Sequence, residues 1–168
     1  MYDRILVPTD GSVATAGAVD HAIELATQYD ATLYALYVVD TGAYASLEMG
    51  SEIVAEALGE EGQEAVDAVA ERAAEAGVDA ETAVANGIAH REIIDHASDH
   101  EVDLIVMGTH GRTGVGRFLL GSVAEKVVRS SDVPVMTVRA PEDAETEAEA
   151  EPDAETDGGT TATNRTTR

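Results

Sequence analysis

Cysteine is absent from this 168-residue chain, which excludes disulfides and thiolate metal centres. Lysine is nearly absent too, since Lys126 stands alone. A phosphate loop that relies on a lysine is therefore hard to assemble, and so is a basic patch that would neutralise nucleic-acid phosphates. No apolar run approaches the ~18 residues needed to span a membrane. The opening MYDRILVPTD shows no basic region followed by an apolar stretch, so no secretory leader is expected. A cytoplasmic protein with no nucleic-acid or membrane partner is the resulting expectation.

Acid dominates what is present. The net charge is −23; nine acids and two arginines from Ala140 onward account for −7 of it, leaving −16 on residues 1–139. Such a surface repels itself in dilute salt and is tolerable where counterions are concentrated, which reads as halophilic adaptation. The last stretch, 140–168, has almost no large apolar side chain and ends in threonine-rich low complexity. It cannot offset its ordering entropy by burial and is expected to be a disordered tail behind a single domain, 1–139.

Within that domain, strand and helix patterns alternate. Ile5-Leu6-Val7 is an apolar strand ended by Pro8, followed by a helix with Val19, Ala22, Ile23 and Ala26 on one face. Thr32 to Val39 is the second strand. A long helical region covers about Ser46 to Ala76, bent or split at Gly59 and Gly62 and closed by Gly77. Val78 to Val84 alternates as a half-exposed third strand, and Asn86-Gly87 precede a short helix carrying Ala89, Ile93, Ile94 and Ala97. Leu104 to Met107 and Val135 to Val138 are the fourth and fifth strands. Alternation implies a parallel sheet with right-handed crossovers. The third and fifth strands have edge character, which suits the order 3-2-1-4-5. Ligands of such sheets bind at the switch point, here between strands 1 and 4, where the loop 8–12 faces the loop 108–122.

That second loop carries the chemistry. Gly108, Gly111, Gly114, Gly116 and Gly121 fall within fourteen residues, between a buried strand and a fresh helix. Ser122-x-x-Glu125 reads as a capping box. Glycines let backbone N–H groups approach phosphate, and a helix N-terminus adds unpaired donors. The Walker pattern fails because Arg117-Phe118 follow Gly116, and the dinucleotide pattern fails because Leu119 stands where glycine or alanine belongs. What remains is Gly108-x-x-Gly111, nine residues, then Gly121-Ser122.

With Met107 before it and Val123 after it, this spacing resembles the ATP-binding signature of the universal stress protein family. The resemblance extends to Arg4 to Ser12, to Tyr37-Val38-Val39-Asp40 and to Asp132 to Val138. It implies a Rossmann-like, adenine nucleotide α-hydrolase-like fold with helices on both faces of a five-stranded parallel sheet. It implies ATP bound by Pro8, Thr9, Asp10, Val38, Met107, Gly108, Gly111, Gly121, Ser122 and Val123, with Mg²⁺ bridging phosphates as a companion expectation. Asp10 falls at the adenine end, Val38 contacts adenine through its backbone, and Met107 and Gly108 lie near the ribose. A homodimer through the Val135–Val138 edge strand is also implied.

From the residues alone, Asp10 is equally a cap of the first helix, and Ser122 equally a plain N-cap. His110 reads as an exposed loop histidine within reach of phosphate, and Arg112 and Arg117 are the nearest cations. His96 and His100, four apart, permit a metal pair, but no matching motif supports one, and these with His21 and His90 read as surface histidines. No catalytic set can be assembled from the loop. An ATP-binding stress sensor or switch with slow or absent hydrolysis is the first expectation. An ATPase or nucleotide-processing enzyme on the same scaffold is the second, and a dimeric interaction module without nucleotide the third.

Overall fold

The computed structural model describes residues 1–40, 51–111 and 120–139, the side chains of 51–55 excepted. Nine elements follow one another: β1 (Arg4–Pro8), α1 (Val13–Tyr29), β2 (Thr32–Asp40), α2 (Ser51–Glu75), β3 (Ala80–Gly87), α3 (Ala89–Asp99), β4 (Leu104–Gly108), α4 (Ser122–Ser130) and β5 (Val135–Val138). The strands form one sheet in the order β3-β2-β1-β4-β5, and each neighbouring pair is parallel. The expected order and the alternating elements are therefore present. Among the described residues no helix is long and apolar enough to cross a membrane.

The central strands carry continuous apolar runs, Ile5 to Val7, Leu33 to Val39 and Leu104 to Met107, because both of their faces are covered. Successive side chains point to opposite sides of a strand, and the core divides accordingly. Ile5, Val7, Leu33, Ala35, Tyr37 and Val106 pack against Val19, Ala22 and Ala26 of α1 and Val66, Val69 and Ala73 of α2. Leu6, Leu36, Ile105 and Met107 turn the other way, onto Ile93 and Ala97 of α3 and Ala124 and Val127 of α4.

Two expectations need correcting. The third strand begins at Ala80 and runs on through Asn86 and Gly87, which pair with Val39 and Asp40. The nine-residue β2 offers a longer ladder than the turn-forming pair Asn-Gly could interrupt. Val78 belongs instead to the turn that ends α2. There Gly77, at φ +75°, lets Val78 N–H reach Ala73 O (2.9 Å) and its own N–H reach Ala74 O (3.0 Å), a Schellman closure. Secondly, α2 is neither split nor interrupted at its glycines. Gly62 lies flat against the Tyr37 ring, where an added Cβ would sit 2.6 Å from Cδ1. The expected start of this helix at Ser46, the residues Gly114 and Gly116, and the tail 140–168 lie outside the described residues.

Candidate functional site

β1 ends at Pro8, and Thr9 continues its path by donating its N–H to Leu36 O (2.9 Å). The chain then turns at Gly11, at φ +76°, before Ser12 takes the N-cap position of α1. Asp10 fixes this turn. Its Oδ1 accepts from Ser12 N–H (3.0 Å), Ser12 Oγ (2.6 Å) and Thr15 Oγ1 (3.2 Å). Asp10 therefore precedes the N-cap and braces the turn from outside, an Asx-type arrangement rather than a cap. The buried Thr9 and Thr15 hydroxyls meet at 3.1 Å beneath it.

The loop after β4 is built by close backbone approach. Thr109 N–H donates to Val138 O (2.9 Å), and Gly121 N–H returns to Thr109 O (2.8 Å). A Cβ at Gly108 would lie 3.0 Å from His110 O and 3.2 Å from Ala14 O; one at Gly121 would lie 3.1 Å from Thr109 O. A side chain at either glycine would press on loop backbone, which would have to shift to admit it. At Gly111 the obstacle is Asp10, whose Oδ2 would stand 2.7 Å from an added Cβ. The two loops flanking the switch point meet there.

The capping box is not formed. Gly121 is the N-cap of α4, Ser122 is the first helical residue, and no side chain caps the helix. The short Gly121–Thr109 bond fixes where the helix begins, one residue before the serine. Glu125 pairs with Arg129 instead (2.5 Å). Among the described residues no side chain accepts from the first N–H groups of α4, and the helix dipole adds partial positive charge there.

These parts enclose a cleft of about 460 Å³ at the C-terminal ends of β1, β2 and β4. All ten residues singled out from the sequence line it: Pro8, Thr9, Asp10, Val38, Met107, Gly108, Gly111, Gly121, Ser122 and Val123. Thr15, Leu36, Asp40, Ala89, Ile93, Thr109, His110 and Ala124 complete the wall. Of these, Ala89 and Ile93 were visible as the apolar face of a helix, but nothing local says that the face turns to a ligand. Thr15 carried no signal. No lysine or arginine is among the described lining residues, and Arg112 and Arg117 lie outside the described residues. A wider depression beside Asp20, Glu24 and Gln28 of α1 is shallow and distant from the strand ends.

His110 departs from the exposed loop residue expected of it. It is half-buried, its Nδ1 lies 2.9 Å from Thr109 Oγ1, and its Nε2 is shielded from solvent without a hydrogen-bond partner. His96 and His100 also differ from plain surface histidines. Their rings stack at 4.0 Å beside Tyr34, near the opposite end of the sheet. Burial, then the neighbouring His100, pushes the His96 imidazole below its usual range, while Asp99 and Glu81 oppose the shift. No group of three or more His, Cys, Asp or Glu residues able to hold a metal occurs among the described residues.

A parallel sheet covered by helices on both faces, with a cleft at the point where strand order reverses, defines a Rossmann-like α/β protein. Residues 1–139 match the universal stress protein family, and the chain belongs to it. It is 44% identical over 144 residues to universal stress protein MJ0531 of Methanocaldococcus jannaschii, covering 84% of this chain and 85% of that protein. The solved structure of MJ0577, from the same organism, is similar with a TM-score of 0.75 and 33% identity, covering 82% and 96% of the two chains. A universal stress protein solved in complex with cAMP is similar at a TM-score of 0.59 and 30% identity, covering 83% and 98%.

Proposed function

We propose that this chain is an ATP-binding universal stress protein, a sensor or regulatory switch that hydrolyses its nucleotide slowly or not at all. The observation that carries this reading is convergence. Four segments far apart in sequence, around Pro8–Asp10, Val38, Met107–Gly111 and Gly121–Val123, line one cleft at the switch point. The cAMP complex of a relative supports an adenine nucleotide as the ligand class.

In this reading the base lies towards Asp10 and Val38, the ribose beside Met107 and Gly108, and the phosphates along Gly111, Gly121 and the start of α4. Backbone N–H groups and the uncapped helix supply most of the attraction for the phosphates. Asp10 and Asp40 place carboxylates in the same cleft. A triphosphate beside them calls for a hard cation, and oxygen donors of this kind suit Mg²⁺. Residues 1–139 form the working domain, and two copies pair through Val135–Val138 of β5.

Calorimetry on nucleotide-stripped protein tests the site. The parent should bind ATP more tightly than AMP. Gly121→Val puts a branched side chain into the loop's closest approach and should abolish ATP binding. Ser122→Ala should weaken it by about one hydrogen bond, ~1 kcal/mol; since Ser122 is not the N-cap, that loss measures a ligand contact. Asp10→Ala should narrow any preference for ATP over GTP. If Gly121→Val binds ATP as the parent does, the phosphates lie elsewhere and the reading fails. Single-turnover product analysis separates a switch from an ATPase.

A further inference from the structure

We propose that His110 is the side chain with which the cleft recognises the phosphate part of its ligand, its Nε2–H donating to a phosphate oxygen. The proposal rests on the nucleotide reading given above and extends it to a residue that reading does not use.

Among the described residues, His110 Nε2 is the one buried side-chain nitrogen or oxygen without a hydrogen-bond partner. Folded proteins satisfy nearly all such atoms, so the exception calls for a partner that arrives later. The backbone beneath the ring is held on two sides. Thr109 is bonded to Val138 and to Gly121, and a Cβ at Gly108 would lie 3.0 Å from His110 O. Movement to meet a ligand therefore belongs to the side-chain torsions and not to the main chain.

The ring's chemistry follows from its other nitrogen. The Thr109 hydroxyl lies 2.9 Å from Nδ1, and when it donates there the ring proton resides on Nε2. Nε2 is then a donor, which calls for an acceptor. Among the described lining residues, this imidazole carries the only side-chain nitrogen donor. It sits between Gly108 and Gly111, with the start of α4 packed close by: a Cβ at Gly121 would be 3.6 Å from His110 Cα. The same helix end favours negative charge. A donor already withdrawn from water gives up no hydration of its own when an oxygen meets it.

Two measurements on the full, nucleotide-stripped chain test this. Calorimetry with ATP and with adenosine compares the parent, His110→Asn and His110→Gln. Asparagine keeps a polar atom near Nδ1 and lacks Nε2; glutamine returns an amide donor close to the Nε2 position. His110→Asn should bind ATP about tenfold or more weakly, as for loss of a hydrogen bond to a charged group, with adenosine unchanged and most of the loss recovered in His110→Gln. Equal losses for ATP and adenosine would mark a structural role and overturn the proposal, as would no loss of either. Nitrogen-15 NMR of the labelled parent needs no variant: saturating ATP should shift the His110 Nε2 resonance and adenosine should not. An unmoved resonance under bound ATP overturns the proposal while the nucleotide reading stands. A parent that binds neither ligand removes that reading, and this proposal with it.

Discussion

Helix α2 carries two glycines three residues apart, and the structure assigns them opposite roles. Alanine is preferred to glycine inside a helix by ~1 kcal/mol, so either replacement begins with that gain. At Gly59 nothing lies within 4 Å of an added Cβ, and the gain is retained. At Gly62 the Cβ would approach Tyr37 Cδ1, Cγ and Cε1 at 2.6, 2.9 and 3.0 Å. Tyr37 is only 5% exposed, so its ring is wedged in the core between β2 and α2 and cannot swing clear. Overpacking of this kind costs ~1–3 kcal/mol, which outweighs the helical gain. Gly59→Ala should therefore stabilise the protein by ~1 kcal/mol, and Gly62→Ala should destabilise it by a similar amount. In a domain of this size each change moves the melting temperature by about 2–4 °C, in opposite directions. Thermal and urea unfolding at one fixed high salt concentration read both. A Tyr37→Leu background completes the cycle, since with the ring gone Gly62→Ala should turn from harmful to neutral or helpful. Equal stabilisation by both replacements in the parent would refute the reasoning.

Three further outcomes are expected. The His96 imidazole is held below its ordinary value, mainly by burial, so the folded state binds fewer protons there than the unfolded chain. Its contribution to stability is present above about pH 6.5 and is lost as pH falls from there through the depressed folded value; His96→Gln should flatten unfolding free energy against pH in that window, and an unchanged profile would contradict it. Replacing Val135 and Met136 by lysine should give monomers in light scattering, because charge on an edge strand opposes pairing; an unchanged mass would place the interface elsewhere. With −16 on residues 1–139, the melting temperature should rise steeply from low to molar salt, and removing 140–168 should reduce that rise only in part; a flat profile would defeat the halophilic reading.

Sheet order was legible in the sequence because burial on both faces leaves a mark at every residue of a strand. Ile5-Leu6-Val7 and Leu104 to Met107 could be read without a partner in view. The half-polar third strand and the fifth, opened by Pro134, read as the edges, in agreement with the order that the family resemblance implies. The cleft residues were legible from the glycine spacing and from the family resemblance, and topology explains why they meet: strand ends in an open parallel sheet converge on the switch point where the order reverses. Three features escaped, and each depends on a neighbour far along the chain. Asn86 and Gly87 are turn residues that pair with Val39 and Asp40 because β2 extends beside them. Asp30 and Glu101 end α1 and α3 in the left-handed conformation that Gly77 adopts without strain, at φ 55° and 48°. No glycine announces either turn. Their closures, Ala31 N–H to Ala26 O at 3.0 Å and Val102 N–H to Ala97 O at 2.9 Å, are set by the strands that must follow.

The capping box shows most clearly why local rules fail at the site itself. Ser122 and Glu125 satisfy the pattern, yet the cap falls on Gly121 because its N–H is already committed to Thr109 O. A serine cap would have supplied the new helix with an internal acceptor for one of its free N–H groups. Displacing the serine by one position leaves those donors without a side-chain cap among the described residues, beside an exposed Ser122. His110, two residues from Gly108 and also short of a partner, lies against the same turn. Two separate shortfalls of acceptors, one on the main chain and one on a side chain, thus occur on the same wall of the cleft. Asp10 meets that wall from the other loop: its Oδ1 accepts from Ser12 and Thr15, and a Cβ added at Gly111 would lie 2.7 Å from its Oδ2. In the nucleotide reading proposed above, the phosphate oxygens supply the acceptors that this wall lacks. A ligand without oxygen acceptors, such as a simple amine, would leave both shortfalls unmet.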